Sequence, residues 1–214
     1  IGSREVSSII INGLRKLEYR GYDSAGIATI DKSNNNQTGN LNIIKSKGKL
    51  INLSNLIKEK NPKGHVGIGH TRWATHGKPN ERNSHPHLDF SGEIAVVQNG
   101  IIENHRDLSE NLKLKGIQLN SDTDTEIIPH LIGLEIEKSL ADGHSQNEQI
   151  LLIAVQKVLT LLEGTYAIAV IWSKAPNALV VASGQAPLVL GFGEGEFFCA
   201  SDTPALAEFT RTFL

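Results

Sequence analysis

The sequence predicts an α+β fold in which helices and sheets form separate layers. Short apolar runs typical of strands lie near both ends of the chain, and segments with the 3.6-residue spacing of helices fill its centre. After Gly164 the pattern changes to four short apolar runs separated by Pro, Gly and Asn. No repeat and no linker divides the 214 residues, so we expect a single domain spanning residues 1–214.

The composition is that of a globular protein with a substantial core. Hydrophobic residues make up 39% of the chain and charged residues 21%, close to the average of folded domains. The 21 Lys and Arg against 23 Asp and Glu give a net charge of −2, which argues against a protein that binds nucleic acid. No apolar run approaches the ~18 residues of a membrane span, and no signal segment opens the chain, so we expect a cytoplasmic protein.

Both ends of the sequence indicate a fragment of a longer chain. There is no Met, Ile1–Gly2 has the character of the end of a strand, and the last two residues, Phe213 and Leu214, belong to an apolar stretch. The single cysteine, Cys199, excludes an internal disulfide and a cysteine-based zinc site.

The first half of the chain predicts two helices and four strands. The first helix has apolar residues along one face and Ser3 as its N-cap. The polar stretch 31–40 predicts a hairpin loop, and Gly67 and Gly69 predict that another segment approaches their strand closely. In order, the elements are a helix over 3–17, strands over 24–30 and 41–46, a helix over 50–60, and strands over 66–70 and 94–98.

The second half predicts three helices followed by four strands. Two of the helices begin at capping-box patterns, Thr123 with Glu126 and Ser145 with Glu148, in which a hydroxyl and a carboxylate three residues apart satisfy the first helical amides. The helices cover 103–115, 125–140 and the segment from the second box to 162, and the strands cover 166–172, 178–182, 188–191 and 197–200.

A long segment, residues 71–92, has no period and is rich in His, Pro, Asn and Gly, and loops of this length are usually functional. Three interpretations are open. His85 and His87 could belong to a metal site, although no cysteine or closely spaced carboxylate completes it. The histidines could instead hydrogen-bond the backbone of the loop. The loop could also clamp a substrate, with Arg72 binding a carboxylate in bidentate fashion and Trp73 excluding water.

The Asn99-Gly100 pair follows a buried strand and also has two interpretations. Asn-Gly is the commonest hairpin turn, but a helix follows here, which makes a simple hairpin a poorer fit. Alternatively, the Asn99 amide and the Gly100 N–H form an oxyanion hole, where glycine allows the substrate to approach the backbone.

The acidic segment 122–126 does not match a calcium-binding loop, since it lacks the Gly and the final Glu of that pattern. It fits equally a helix N-terminus stabilised by negative charge and a carboxylate that faces a substrate ammonium group. Gly21 is expected to cap the first helix at its C-terminus, and the glycine-rich segment 191–195 lacks the pattern of a nucleotide loop. An arginine for a carboxylate, an aspartate for an amine and an oxyanion hole for an amide would together suit glutamine.

The same segments carry a family resemblance that runs in order along nearly the whole chain. LEYRGYDSAG, HTRWATHG, NSHPH, NGIIEN, TDTE and a final ASD resemble the glutaminase domain of the glutamine–fructose-6-phosphate aminotransferases. These enzymes are class II amidotransferases of the N-terminal-nucleophile hydrolase superfamily. The first motif favours this branch over the amidophosphoribosyltransferases and asparagine synthetases. In order, the motifs begin at residues 17, 70, 83, 99, 123 and 200.

The resemblance implies a four-layer αββα sandwich and a glutamine site at one edge of it. It assigns the glutamine α-carboxylate to Arg72 and the α-amino group to Asp124, and it places Thr75 and His76 in the glutamine loop. Trp73 would gate the passage of ammonia. No metal and no organic cofactor is implied.

The resemblance also implies the groups that do the chemistry. Asn99 and Gly100 would form the oxyanion hole, and Arg20 and Tyr22 would lie near the nucleophile. That nucleophile is an N-terminal cysteine whose own α-amino group is the general base, and this chain does not contain it. Cys199 lies where the family uses no catalytic residue, so we expect this chain of 214 residues to be inactive.

In the parent enzyme, ammonia would pass to a C-terminal sugar-phosphate isomerase domain, absent here, that converts fructose 6-phosphate to glucosamine 6-phosphate. Homodimerisation is expected through that domain. Three alternatives are kept: a non-catalytic glutamine-binding module, the glutaminase domain of another class II amidotransferase, and a histidine-rich metal-binding domain.

Overall fold

The computed structural model describes residues 1–21, 23–32, 38–73 and 78–214. The helices are α1 (Val6–Leu17), α2 (Leu50–Lys60), α3 (His105–Leu114), α4 (Ile127–Ala141) and α5 (Glu148–Leu159), with short 3₁₀ turns at Glu18–Arg20 and Thr203–Ala205. The strands are β1 (Ser24–Asp31), β2 (Asn40–Lys47), β3 (Val66–Arg72), β4 (His87–Leu88), β5 (Ile94–Ile102), β6 (Gly164–Trp172), β7 (Val180–Gly184), β8 (Val189–Gly193), β9 (Glu196–Ala200) and β10 (Thr212–Phe213).

The strands form three antiparallel sheets, with strand orders β2-β1-β3, β4-β5-β6-β7 and β10-β8-β9. The β1–β2 pairing extends to Asp31 opposite Asn40, which confirms the predicted hairpin; residues 33–37 of its loop lie outside the described part of the chain. The predicted α+β class is confirmed.

Alternation along the strands shows how the layers stack. On β5, Ile94 and Val96 belong to an apolar cluster with α3, α4 and α5, whereas Ala95 and Val97 belong to a second cluster with β1 and β3. A third cluster joins the other face of β1 to α1 and α2. Since successive strand residues point to opposite faces, the order of layers is helices, first sheet, second sheet, helices.

The glycines of β3 bring α1 close to the first sheet, as predicted. A Cβ on Gly67 would lie 2.8 Å from Val6, and one on Gly69 would lie 2.3 Å from Ile10. Any larger residue at either position would therefore push α1 away from the sheet.

The third sheet approaches the edge of the first through the start of the chain. The Ile1 N–H donates to the Phe197 carbonyl at 3.0 Å, and the Phe197 N–H donates back to the Ile1 carbonyl at 2.9 Å. The Gly2 N–H donates to the His65 carbonyl at 3.1 Å. Residues 1–2 thus bridge β9 and the segment that leads into β3.

Several helix ends differ from the predictions. The helix α1 begins after Glu5 rather than Ser3, without a side-chain cap. Asn147, not Ser145, caps α5, with Oδ1 accepting from the Ile150 N–H at 3.1 Å. Gly21 has an extended backbone and follows a 3₁₀ turn, so it is not the C-cap of α1.

None of the helices in the described ranges combines the length and the apolar character that a membrane span requires.

Candidate active site

A cavity of about 420 Å³ lies among α1, β3, β9 and the end of β5. This volume is in the ~300–1,000 Å³ range of small-molecule sites. Its walls include every described residue that the sequence analysis assigned to the site: Arg20, Arg72, Trp73, Asn99, Gly100 and Asp124. The other three, Tyr22, Thr75 and His76, lie outside the described residues. Residues as far apart in the chain as Arg20 and Asp124 thus converge on one cavity.

Arg72 is the last residue of β3 and is only 5% exposed. Its Nη1 lies 3.9 Å from Asp23 Oδ1, so an acidic partner stands beside the buried guanidinium. The backbone of Gly21 approaches so closely that a Cβ there would lie 2.8 Å from the Arg72 carbonyl carbon. The absence of a side chain at Gly21 therefore allows its backbone to pack against the backbone of Arg72.

Trp73 and Arg20 lie on the accessible side of the cavity. The Trp73 side chain is 60% exposed, an unusual position for a large aromatic residue. Arg20 is exposed, and its Nη1 donates to Ser201 Oγ at 3.3 Å, which joins the turn after α1 to the segment after β9.

Asn99 and Gly100 do not form a turn. The strand β5 continues to Ile102, with Asn99 opposite Ala167 and Gly100 opposite Tyr166. Gly100 has φ +119°, and a Cβ on it would lie 2.0 Å from the Thr165 carbonyl oxygen. The continued pairing rules out the hairpin interpretation, and only glycine is accommodated at this point of the cavity wall.

Asp124 is 7% exposed and is held by the backbone of β5: its Oδ2 accepts from the Ile102 N–H at 2.8 Å. The loop around it is held by Glu126, which accepts from the Asn120 N–H at 2.7 Å and the Ser121 N–H at 2.6 Å. Burial raises the pKa of Glu126, but His130, Ser121 and these amides outweigh it and lower the pKa to about 2.

These contacts replace the predicted capping box. Glu126 bonds to the preceding loop, not to the amide of Thr123, while the Thr123 hydroxyl lies 3.1 Å from His87 Nε2. The carboxylate of Glu126 therefore shapes the loop that carries Asp124. Its place in the TDTE motif was the only sequence signal for this role.

Three histidines from β3, the following loop and β4 form a stack, which we call the histidine stack: the half-buried His70 and the buried His85 and His87. The rings of His70 and His85 are 4.2 Å apart and nearly parallel, and those of His85 and His87 are 4.9 Å apart, edge to face. Each ring contacts a different group, namely Asn99 Oδ1 at 2.9 Å, the Gln98 N–H at 3.3 Å and the Thr123 hydroxyl. The stack connects β3 to β5 and to the Asp124 loop.

Burial lowers the pKa of His70 to about 4 and that of His87 to about 3, and it lowers the pKa of His85 well below its usual range. The positive charges of Lys45 and Arg72 act in the same direction on His85 and His87. All three rings are therefore neutral at pH 7. Within the described ranges, no three His, Cys, Asp or Glu side chains are grouped as a metal site would require. The hydrogen bonds favour the interpretation in which histidines order the loop.

Cys199 lies in the cavity wall on β9, but its thiol is not an activated nucleophile. Burial raises its pKa to about 11, so almost no thiolate forms at neutral pH. Two residues that support the site, His70 and Asp23, were not identified from the sequence, because each acts through a tertiary contact to another site residue, Asn99 and Arg72 respectively.

The four-layer fold and this cavity define the class of the N-terminal-nucleophile amidotransferases. Residues 70–208 match the model of the glutamine amidotransferase domain. The chain therefore belongs to the glutamine amidotransferase domain family.

Two similar proteins carry the name of the branch that the motifs favoured. The chain is 53% identical to the glutamine–fructose-6-phosphate aminotransferase [isomerizing] of Thermosynechococcus vestitus, with 100% of this chain and 32% of that protein aligned. It is 51% identical to the enzyme of the same name from Nostoc sp. strain PCC 9229, again over 100% of this chain and 32% of the relative. The chain thus spans about a third of the length of these relatives.

A solved structure has the same fold. It is the glutamine phosphoribosylpyrophosphate amidotransferase from B. subtilis complexed with ADP and GMP, at a TM-score of 0.79 and 26% identity. The alignment covers 100% of this chain and 43% of that chain. The resemblance to the amidotransferases is confirmed.

Proposed function

We propose that this chain binds L-glutamine and, with an N-terminal cysteine as nucleophile, hydrolyses the side-chain amide as the glutaminase domain of a glutamine–fructose-6-phosphate aminotransferase. One observation carries the proposal: Arg72, Asp124, Asn99 and Gly100 line a single cavity of the size of a small-molecule site. The identity of 53% and 51% to enzymes of that name supports the choice of reaction.

The binding step follows from charge and geometry. A free amino acid presents a carboxylate and an ammonium group, and the cavity offers a buried guanidinium at Arg72 and a buried carboxylate at Asp124. A guanidinium binds a carboxylate through two parallel hydrogen bonds. With Asp23 beside Arg72 and the Ile102 amide on Asp124, both charges have fixed positions before the substrate arrives.

The hydrolytic step requires a thiolate that attacks the amide carbon, forms a C–S bond and pushes negative charge onto the amide oxygen. The Asn99 amide and the Gly100 N–H would stabilise that oxyanion. Collapse of the intermediate breaks the C–N bond and, with a proton from the α-ammonium group of the same cysteine, releases ammonia. Water then hydrolyses the thioester to glutamate.

The remaining assignments concern the whole protein. Residues 1–214 would form one amidotransferase domain of type 2, and Trp73 at the cavity mouth would gate ammonia on its way to a sugar-phosphate isomerase domain. That domain would aminate fructose 6-phosphate to glucosamine 6-phosphate and form the homodimer contact. We place the enzyme in the cytoplasm. Thr75 and His76 would complete the glutamine loop, and Arg20 and Tyr22 would lie next to the nucleophile.

Replacement of Arg72 by Ala should weaken glutamine binding by about 2–5 kcal/mol, because the substrate carboxylate loses a buried charge-assisted partner. This corresponds to a rise in the dissociation constant of roughly 30-fold or more, measured by calorimetric titration of the 214-residue chain with glutamine. Arg72→Lys should recover only part of the affinity, since an ammonium lacks the planar fork.

The matched control is Arg106→Ala, which removes an exposed arginine of α3 that does not line the cavity. The dissociation constant of the Arg106→Ala chain for glutamine should equal that of the parent chain. Circular dichroism of each variant separates lost binding from lost folding. An Arg72→Ala chain that folds and binds glutamine as tightly as the parent would refute the assignment.

Replacement of Asn99 by Ala, in a form of the chain that carries the N-terminal cysteine, should lower kcat roughly 10²–10³-fold with little change in KM. The oxyanion forms only once the thiolate attacks, in the transition state and the tetrahedral intermediate, so the amide contributes to the rate and not to substrate binding. Steady-state glutamate release is the measurement. An effect confined to KM would assign Asn99 to ground-state binding instead.

A further inference from the structure

The strand periods place His70 and Asn99 in the same layer of the molecule. On β3, Val66 and Ile68 pack between the two central sheets, so His70, two residues further on, faces the same layer. On β5, Ala95 and Val97 face that layer from the other side, and Asn99 follows in the same alternation. The two side chains therefore meet where the sheets face each other at the cavity.

Their contact orients the Asn99 amide. His70 Nε2 lies 2.9 Å from Asn99 Oδ1, and a carbonyl oxygen can only accept, so the His70 Nε2–H is the donor. An asparagine carries its oxygen and its NH₂ group on the same planar carbon. With the oxygen bound to His70, the NH₂ group points away from the ring, and both residues line the cavity.

The histidine itself is restrained. Its ring stacks on His85, whose Nδ1 accepts from the Gln98 N–H at 3.3 Å. Since His70 is neutral at pH 7, it carries one ring proton, and the bond to Asn99 selects the nitrogen that holds it. The backbone N–H of Gln98, the neighbour of Asn99, thus holds the His85 ring, and the His85 ring stacks on His70.

We propose that His70 is a positioning residue: it holds the Asn99 carbonyl so that the Asn99 NH₂ group faces the oxygen of the glutamine amide. The inference rests on the proposed function and adds to it. Without the His70 N–H, the Asn99 amide can rotate by half a turn and present its oxygen to the developing oxyanion. A donor that must be reoriented loses much of its contribution, because preorganisation is what makes such donors effective.

The kinetic experiment compares two replacements in the chain that carries the N-terminal cysteine. His70→Phe retains an aromatic ring for the stack on His85 but removes the donor, and kcat should fall roughly 10–100-fold, with KM changed less than about threefold. His70→Gln can place an N–H near the position of Nε2, and it should recover most of the lost kcat. An unchanged kcat in His70→Phe, or an equal loss in both variants, would overturn the proposal.

A double replacement separates positioning from a general structural role. If His70 acts through Asn99, then adding His70→Phe to Asn99→Ala should change kcat little further, because no Asn99 amide is left to be oriented. If the two losses instead multiply, His70 acts by another route and the proposal fails. Thermal unfolding of each variant accompanies the kinetics, so that a destabilised chain is recognised.

A measurement without turnover keeps this proposal separate from the proposed function. In the ¹⁵N spectrum of the 214-residue chain at pH 7, His70 should show the neutral form with its proton on Nε2. A neutral ring with its proton on Nδ1 would reverse the Asn99 amide and overturn the inference, whatever the enzyme does. If the cysteine-bearing chain fails to hydrolyse glutamine, the proposed function fails, and this spectrum still decides the orientation of Asn99.

Discussion

A polypeptide of these 214 residues should bind glutamine and leave it intact, and an added N-terminal strand that begins with cysteine should convert it into a glutaminase. The groups proposed to orient the substrate line the cavity, but its one thiol, Cys199, has a pKa raised by burial to about 11. The thiolate and the α-amine that activates it must therefore come from the added strand.

The structure shows where such a strand would run. Ile1 and Phe197 exchange both backbone hydrogen bonds, which is the antiparallel pattern, so residues added ahead of Ile1 would extend along β9 towards Ser201. On the other side they would lie along β3, which has 7 residues and ends at Arg72. At ~3.3 Å per residue, a strand of about six or seven residues reaches the cavity end marked by Arg72 and Arg20.

Glutamate release measured with and without the strand tests this prediction. Changing the new first cysteine to Ala should abolish turnover, whereas Cys199→Ser should leave it unchanged. The added strand should also raise the unfolding temperature, since it would pair the open edges of β3 and β9. Hydrolysis of glutamine by the original 214 residues would refute the nucleophile assignment, and binding without turnover in every form would favour a non-catalytic glutamine-binding module.

The domain should lose stability in mild acid, as the pH falls below about 6.5. In the folded state the pKa of His70 is about 4 and that of His87 about 3, and that of His85 is also well below its usual range. In the unfolded chain each histidine takes up a proton near pH 6.5. Between about pH 6.5 and 4 the unfolded state therefore binds protons that the folded state does not, and the free energy of unfolding decreases as the pH falls.

The magnitude follows from the number of protons. Each histidine contributes about 1.4 kcal/mol per pH unit, so the three together approach about 4 kcal/mol per unit, against a total stability of about 5–15 kcal/mol. Glu126, with its pKa lowered to about 2, adds a further loss below about pH 4.5. Urea unfolding followed by circular dichroism at pH 8, 7, 6 and 5 measures the slope. Above about pH 6.5 these histidines should contribute no pH dependence to the free energy of unfolding.

The variant His85→Phe removes one of the titrating rings. It should reduce the slope of the free energy of unfolding against pH by the contribution of one proton, about 1.4 kcal/mol per pH unit. Equal stability at pH 7 and pH 5 in the parent chain would contradict the prediction, since it would mean that the histidine stack accepts protons without unfolding.

Secondary structure was predictable wherever one strong local signal acted alone. The helix over 50–60 was confirmed at both ends, and each predicted strand was confirmed to within four residues at its ends, whereas the short strands β4 and β10 were not predicted. The helix starts were wrong where another contact replaced the expected cap. Glu126 satisfies the amides of Asn120 and Ser121, so the expected box with Thr123 does not form.

The candidate site likewise has features that the sequence determined and features that the tertiary structure decided. The sequence by itself determined which chemical groups are available: a guanidinium at Arg72, carboxylates at Asp124 and nearby, an amide at Asn99 and a glycine at 100. Their motifs identified the family, because residue types at set spacings are a property of the chain alone. The tertiary structure excluded the hairpin turn at Asn99-Gly100, since only the pairing with β6 shows that the strand continues.

The way in which those groups are held was likewise decided by the tertiary structure alone. The Ile102 amide on Asp124, Asp23 beside Arg72 and His70 on Asn99 join residues that the sequence separates by 22, 49 and 29 positions. Local patterns carry no information about such pairs, because hydrogen bonds and burial depend on which faces of which strands meet. The sequence thus determined the inventory of the site, and the packing of two sheets against each other determined its orientation and its protonation.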